Sequence, residues 1–348
     1  MRLTFFTVFT ALMLIANQAH AGIVTFGSGT NSFDMEFVTI GDVGNAADTT
    51  GSPNPAGAVS YEYQMGKYEV SRGMIDAYNA IYGTANSLEI SMYDPMPGGS
   101  ESYKPAGGIT WNEAARFVNW LNTSQGYSAA YKFTTGGVDD DISVWSSGDA
   151  GYDANNPFRN SNALYVLPSV DEWYKAAYYD PDTGAWREYA SLNGDLPVSV
   201  SSGTADNTAV WNRAIEEGPA SVYEAGGLTP YGVMALNGNA VEWNETASDL
   251  TNDDGSEDRI LRGGSWFWTS DLAASSPRSF WTKSVFQDIG FRVVSLASVS
   301  SSSSSSTGTV PEPTTFAIWG VMGLAGFGGI RRRRNRSQQD EPSQVSES

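Results

Sequence analysis

The chain has 348 residues, of which 39 are acidic and 20 basic, and its formal net charge at pH 7 is −19. It contains no cysteine and one histidine, His20. Such acidity excludes nucleic acid as a partner, because contacts to phosphate need Lys and Arg. The absence of cysteine excludes disulfides. With histidine confined to position 20, Cys-His and Ser-His catalysis and the usual copper, zinc and haem sites are also excluded.

The first 21 residues are typical of a secretory signal peptide. Arg2 precedes the apolar run Leu3–Ala16, and Ala19 and Ala21 are the small residues expected before a cleavage site. The alternative is a buried helix, which explains the apolar run but not this ending. We expect cleavage after Ala21, which removes His20 from the mature chain.

The C-terminal end also has the composition of a targeting segment rather than of a folded domain. It contains, in order, a Ser-rich linker (298–310), a short motif (Pro311, Glu312 and Pro313), an apolar segment (314–330), an arginine cluster (331–336) and a polar tail (337–348). The apolar segment is a predicted transmembrane helix, which at 1.5 Å per residue spans roughly 26 Å, barely a bilayer core. The arginines would keep the tail in the cytoplasm.

This order of motif, span and arginines resembles the PEP-CTERM sorting tail of exopolysaccharide-producing Gram-negative bacteria. The resemblance implies an exosortase-type protease as partner. It also implies removal of the tail and delivery to the cell surface or extracellular matrix. The alternative is a permanent membrane anchor through 314–330.

Between these ends, residues 22–297 are predicted to form one α+β domain. The two ends carry six arginines and four acids, so without them the net charge of −19 becomes about −21 for the mature chain. Apolar residues predict a half-buried strand over 33–38, and a second strand within 61–70 leads to a helix capped by Ser71. Apolar residues then recur at helical spacing over 74–82.

Two capping boxes predict the next helices: Glu113 follows Thr110 by three residues, and Glu172 follows Ser169 likewise. The first of these helices is predicted to bury one face: Trp111, Ala114, Val118 and Leu121. The Gly-rich stretches 83–108 and 133–165 are predicted surface loops, and the chain after Pro181 consists of short segments and turns.

Six motifs follow one another in a fixed order. They are KYEVS, ITWNEAARFVNWLN, LPSVDEWYKAA, YGVMALNGNAVEW, RGGSW and GFR, within residues 33–294. This series resembles the formylglycine-generating enzyme, or sulfatase-modifying factor, family. The resemblance implies a C-type-lectin-related single domain with much irregular structure.

The oxidases of that family use two cysteines just after the RGGS-aromatic motif. Here Trp268 and about Ala273 stand at those positions, so a copper-binding thiolate pair cannot form. The sequence therefore favours a non-catalytic member. Two alternatives stay open: an enzyme of the family type acting without the usual cysteines, and a carboxylate-based enzyme acting on polysaccharide.

The resemblance also implies a calcium site in the GN-x-x-EW motif, with Asn237, Gly238, Asn239, Ala240 and Glu242 as candidate ligands. Carbonyl, amide and carboxylate oxygens suit this cation. The alternative is that Glu242 pairs with a buried arginine, such as Arg262 or Arg292. Structural roles are expected for a further set: Glu172, Arg262, Gly263, Gly264 and Arg292.

An exported lectin-related domain without soft metal ligands suggests a surface or matrix protein that binds polysaccharide. Loop aromatics are candidates for sugar contacts, although packing of the loops is their commoner role: Tyr127, Tyr131, Trp145, Tyr152 and Trp186.

Overall fold

The computed structural model describes residues 22–269 and 283–296, and the backbone of 278–280. The predicted signal peptide, the linker, the Pro-Glu-Pro motif and the apolar segment 314–330 lie outside these residues. Across the described part of the chain, no helix has the length and apolar character needed to cross a membrane.

Within the described residues, three helices and thirteen mostly short strands confirm the predicted α+β class with much irregular structure. The helices are α1 Arg72–Tyr78, α2 Trp111–Ser124 and α3 Val170–Tyr178, with short turns at Gly29–Asn31, Asn79–Gly83, Thr84–Asn86 and Ile215–Glu217. The strands are β1 Gly22–Phe26, β2 Phe33–Ile40, β3 Tyr63–Gly66, β4 Tyr165–Val166, β5 Tyr179–Asp180, β6 Ala185–Trp186, β7 Val198–Ser199, β8 Thr208–Ala209, β9 Val241–Ala247, β10 Arg259–Arg262, β11 Arg278–Phe280, β12 Ile289–Gly290 and β13 Val294–Ser295.

The first sheet has the order β1-β2-β3-β13-β4, with every neighbouring pair antiparallel. Val294 on β13 pairs with Met65 on one side and with Val166 on the other. The end of the domain is thus inserted between strands from its first half. This insertion brings the GFR motif beside the KYEVS motif.

The second sheet has the order β11-β10-β9-β12. All seven residues of β9 are buried. In the register, Glu242 of β9 lies between Arg262 of β10 and Gly290 of β12. Three motifs that are far apart in the sequence therefore meet across this sheet.

The predicted helix starts are confirmed. Both capping boxes form, at Thr110 with Glu113 and at Ser169 with Glu172. The predicted inward face of α2 is fully buried: Trp111, Ala114, Val118 and Leu121. The helical spacing over 74–82 is only partly realised, because α1 ends at Tyr78 and continues as the wider turn Asn79–Gly83.

The caps allow a direct test of what stabilises the helix ends. We expect Ser169→Ala to lower the free energy of unfolding by about 1 kcal/mol, because its side chain accepts from the Glu172 amide. Ser71→Ala is the matched control, since Ser71 caps α1 without a side-chain hydrogen bond. Its loss should stay within about 0.5 kcal/mol. Urea denaturation measures both variants, and equal losses would contradict this account.

Candidate functional site

A buried ion pair lies where the motifs meet. Arg292 contacts Glu242 through two hydrogen bonds, Nη2 to Oε1 at 2.5 Å and Nε to Oε2 at 2.7 Å. Both side chains are fully buried. The Trp173 indole also donates to Glu242 Oε2, at 2.8 Å. Arg292 donates its other hydrogens to the backbone carbonyls of Gly66 and Met234. Its positive charge is therefore matched in full, as a buried charge requires.

Glu69 is a second buried carboxylate beside this pair. It accepts from the Ala240 amide at 2.9 Å and from the Asn239 side chain at 2.6 Å. Burial, followed by the charge of Glu242, raises the pKa of Glu69 to about 8. Arg292 can balance only one of the two carboxylates, so Glu69 holds a proton at neutral pH. The KYEVS motif thus fixes the loop that precedes β9.

A second buried network connects α3 to β9. Arg159 contacts Glu172 at 2.9 Å and Glu245 at 2.9 Å. Tyr61 donates to Glu172 and Tyr131 donates to Glu245. The sequence predicts a structural role for Glu172, whereas Arg159 and Glu245 were not predicted. Two sequence features could have pointed to this arginine: the buried EW dipeptide of LPSVDEW and the nearby sequence PFRN.

The RGGSW motif forms a turn against α3. The Arg262 guanidinium lies 5.1 Å from the centroid of the Tyr174 ring and donates to the carbonyl of Ser52. Gly263 and Gly264 have φ of +98° and +69°, a region that favours glycine. The turn brings Gly263 against Trp173, so a side chain would crowd that ring. Arg262 and Gly263 thus pack against α3, and Gly264 allows the backbone conformation of the turn.

The position that resembles the first oxidase cysteine holds Trp268. Its amide donates to the Ser265 carbonyl at 3.2 Å, and its own carbonyl accepts from Asn212 at 2.8 Å. The ring is partly buried and packs against the main core. Trp266 nearby is fully buried, with its indole bonded to the Ile215 carbonyl. Ala273, at the second position, lies outside the described residues.

The candidate calcium ligands divide into two groups. Asn237 suits a cation, because its side chain is buried and neither polar atom has a hydrogen-bond partner among the described residues. Asn239 and Ala240 instead donate to Glu69, and the Asn239 side-chain oxygen accepts from Ala220. Glu242, the charged ligand, is occupied by Arg292 and Trp173. As a set these residues do not fit Ca²⁺, which needs carboxylate charge.

In the described part of the chain, no group of three or more Asp, Glu, His or Cys side chains is placed to hold a metal. The predicted loop aromatics differ in exposure. Tyr131 is buried and Tyr127 is 45% exposed. Trp145, Tyr152 and Trp186 are partly buried. Tyr131 therefore has a packing role, whereas the others reach the surface.

A comparison with protein families matches residues 20–297 to the sulfatase-modifying factor enzyme 1-like domain. The chain belongs to this family. No curated protein matches. Among solved structures, Treponema denticola variable protein 1 is 19% identical, with a TM-score of 0.53, covering 79% of this chain and 99% of that one. The crystal structure of CarF is also 19% identical, with a TM-score of 0.53, covering 76% of this chain and 99% of that one. At this identity the likeness shows the shared fold.

Within this sulfatase-modifying factor domain, the ion pair makes a specific contribution to stability. We expect Glu242→Gln to lower the free energy of unfolding by about 3–5 kcal/mol, because Arg292 is left with an uncompensated buried charge. Glu36→Gln is the matched control, since the Glu36–Lys67 pair is partly exposed. That change should cost about 1 kcal/mol or less. Chemical denaturation measures both, and comparable small losses would contradict the role of the pair.

Glu69 predicts a pH dependence of stability. Its pKa is about 8 in the fold against an ordinary value of 4.5, so its contribution is present at low pH and is lost as pH rises through 8. Glu113, whose pKa is raised to about 7 by burial, changes stability in the same direction.

We therefore expect the melting temperature to fall between pH 6 and pH 9. Glu69→Gln, which resembles the protonated form, should reduce that fall without removing it. Between the ordinary and the folded pKa of Glu69, each rise of one pH unit lowers the free energy of unfolding by about 1.4 kcal/mol. Calorimetry across this range measures the effect. An unchanged slope in the variant would refute the assignment to Glu69.

Proposed function

We propose that this protein is an exported surface or matrix protein whose sulfatase-modifying factor domain is non-catalytic and binds polysaccharide. One observation carries the proposal: three buried carboxylates in and beside the motifs are already paired with arginines in the interior. Glu242 is paired with Arg292, and Glu172 and Glu245 are paired with Arg159. None of the three carboxylates is exposed.

The side chains that the family oxidases use for their chemistry are absent here. The chain has no cysteine, and its one histidine, His20, precedes the expected cleavage site. In the family oxidases two cysteine thiolates bind copper, and this chain has no thiolate that could do so. Trp268, with its ring packed on the core, takes the place of the first thiolate.

A carboxylate-based enzyme needs two carboxyl groups that a sugar can reach. Glu172 and Glu245 approach the same arginine, but both are fully buried. Tyr61 also donates to Glu172, and Tyr131 and Asn156 also donate to Glu245. This pair therefore supports a structural role rather than general acid–base chemistry.

Binding is favoured by the surface that remains. Aromatic side chains of the loops are partly exposed, and rigid loops on a packed scaffold are common sites of recognition. The two chain ends support export, with processing by an exosortase-type protease and membrane attachment before the tail is cut. The net charge of about −21 argues against nucleic acid as a partner.

The proposal is tested with the full-length chain in detergent, applied to the extracellular polysaccharide of the producing cells. We expect saturable binding that is the same with Ca²⁺ and with a chelator, because Arg292 already balances Glu242. We also expect no formylglycine on a sulfatase peptide, measured by mass spectrometry. Failure to bind this polysaccharide and a panel of common glycans would refute the binding role. Formylglycine formation would refute the non-catalytic assignment.

A further inference from the structure

A groove runs beside α2 and the loop that follows it. It encloses a cavity of about 280 Å³, close to the small end of ligand pockets in proteins. The residues that carry the argument are three partly exposed aromatics and two cations: Tyr82, Phe133, Trp145, Arg116 and Lys132. This groove lies outside the buried motif network described above.

The charge of the groove is opposite to that of the protein. Its charged lining residues are Arg116 and Lys132, in a mature chain of about −21. Another cavity, beside Tyr68, is lined instead by acidic residues: Asp34, Glu36 and Glu69. A positive, aromatic groove on an acidic surface selects an anionic ligand by charge complementarity.

Arg116 is held rigidly but keeps one donor free. Its Nε donates to the Val138 carbonyl at 3.0 Å, and its Nη2 donates to the carbonyls of Thr135 and Gly137. The guanidinium lies 3.8 Å from the centroid of the Phe133 ring. Its Nη1 has no hydrogen-bond partner among the described residues. A preorganised arginine with an unused donor is suited to binding an anion.

Lys132 supplies the second positive charge. Its Nζ lies 2.8 Å from Asp149 and 5.7 Å from the centroid of the Trp145 ring. Asp149 is also held by the backbone and side chain of Ser146. One ammonium hydrogen is therefore used, and two remain for a ligand.

The aromatic surface offers stacking rather than hydrogen-bond readout. The Trp145 indole is fixed by a bond to the Ala130 carbonyl at 3.0 Å. Asn119, also in the lining, is committed to the backbone of Tyr131 through both side-chain atoms. A ligand thus meets a fixed indole and a Phe ring, with cations beside both.

We infer that this groove binds an acidic saccharide, with a sugar ring stacked on Trp145 and its carboxylate contacting Lys132 and Arg116 Nη1. The inference rests on the proposed polysaccharide binding and adds the site and the chemical class of the sugar. A carboxylate matches the charge, and the apolar face of a pyranose matches the indole.

The test uses calorimetric titration of the full-length chain in detergent with a hexamer of galacturonic acid. The methyl-esterified hexamer is the ligand control, because it keeps the rings and loses the charge. We expect the ester to bind at least about tenfold more weakly. Lys132→Gln should weaken binding of the acid by about three- to tenfold, and Trp145→Ala by about tenfold.

Two matched variants separate the site from general effects. Lys67→Gln removes a lysine that likewise pairs with a carboxylate and lies over a tyrosine ring. Tyr93→Ala removes an exposed aromatic side chain that lies outside the groove. Both should leave affinity unchanged, and melting curves show which variants remain folded.

Equal affinity for the acid and its methyl ester would overturn the inference while leaving polysaccharide binding intact. Binding of the acid that Lys132→Gln does not weaken would also overturn it. If neither hexamer binds, the inference fails. The proposed function then depends on whether the native polysaccharide binds in the previous experiment.

Discussion

The ion pair between Glu242 and Arg292 is the contact on which the arrangement of the two sheets depends. Glu242 lies on β9 of the second sheet, and Arg292 lies between β12 of that sheet and β13 of the first. The same guanidinium bonds the Gly66 carbonyl of β3. A buried charge is costly unless every partner is present, so this contact favours a single packing of the sheets.

The pair also shows where two of the family motifs place their charged groups. Glu242 of the EW strand and Arg292 of GFR lie in the interior, where each is matched by the other rather than by solvent. Glu69 shows the limit of this matching, because burial and then the nearby charge of Glu242 raise its pKa to about 8. These interior contacts stabilise the fold, whereas the proposed recognition uses side chains that reach the surface.

The sequence predicted interactions between residues close together in the chain better than interactions between distant residues. The capping boxes at Thr110 and Ser169 are local, three residues from donor to acceptor, and both were predictable. Arg159 bonds Glu245 from 86 residues away, and no periodicity predicts such a partner. For Glu242, the motif fixes a buried carboxylate but not its counter-charge. Only the register, which places GFR beside the EW strand, selects Arg292.

The surface groove shows how the same scaffold can gain a binding role. Arg116 comes from the rigid helix α2, whereas Phe133 and Trp145 come from the loop after it. Carbonyls of that loop are tied to Arg116, so the arginine both shapes the loop and presents a donor to the groove. Changes in the loop can alter the ligand while the buried pairs keep the fold. Under the proposed function, the domain can therefore diversify at its surface while the buried pairs are kept, because the two sets of contacts share few residues.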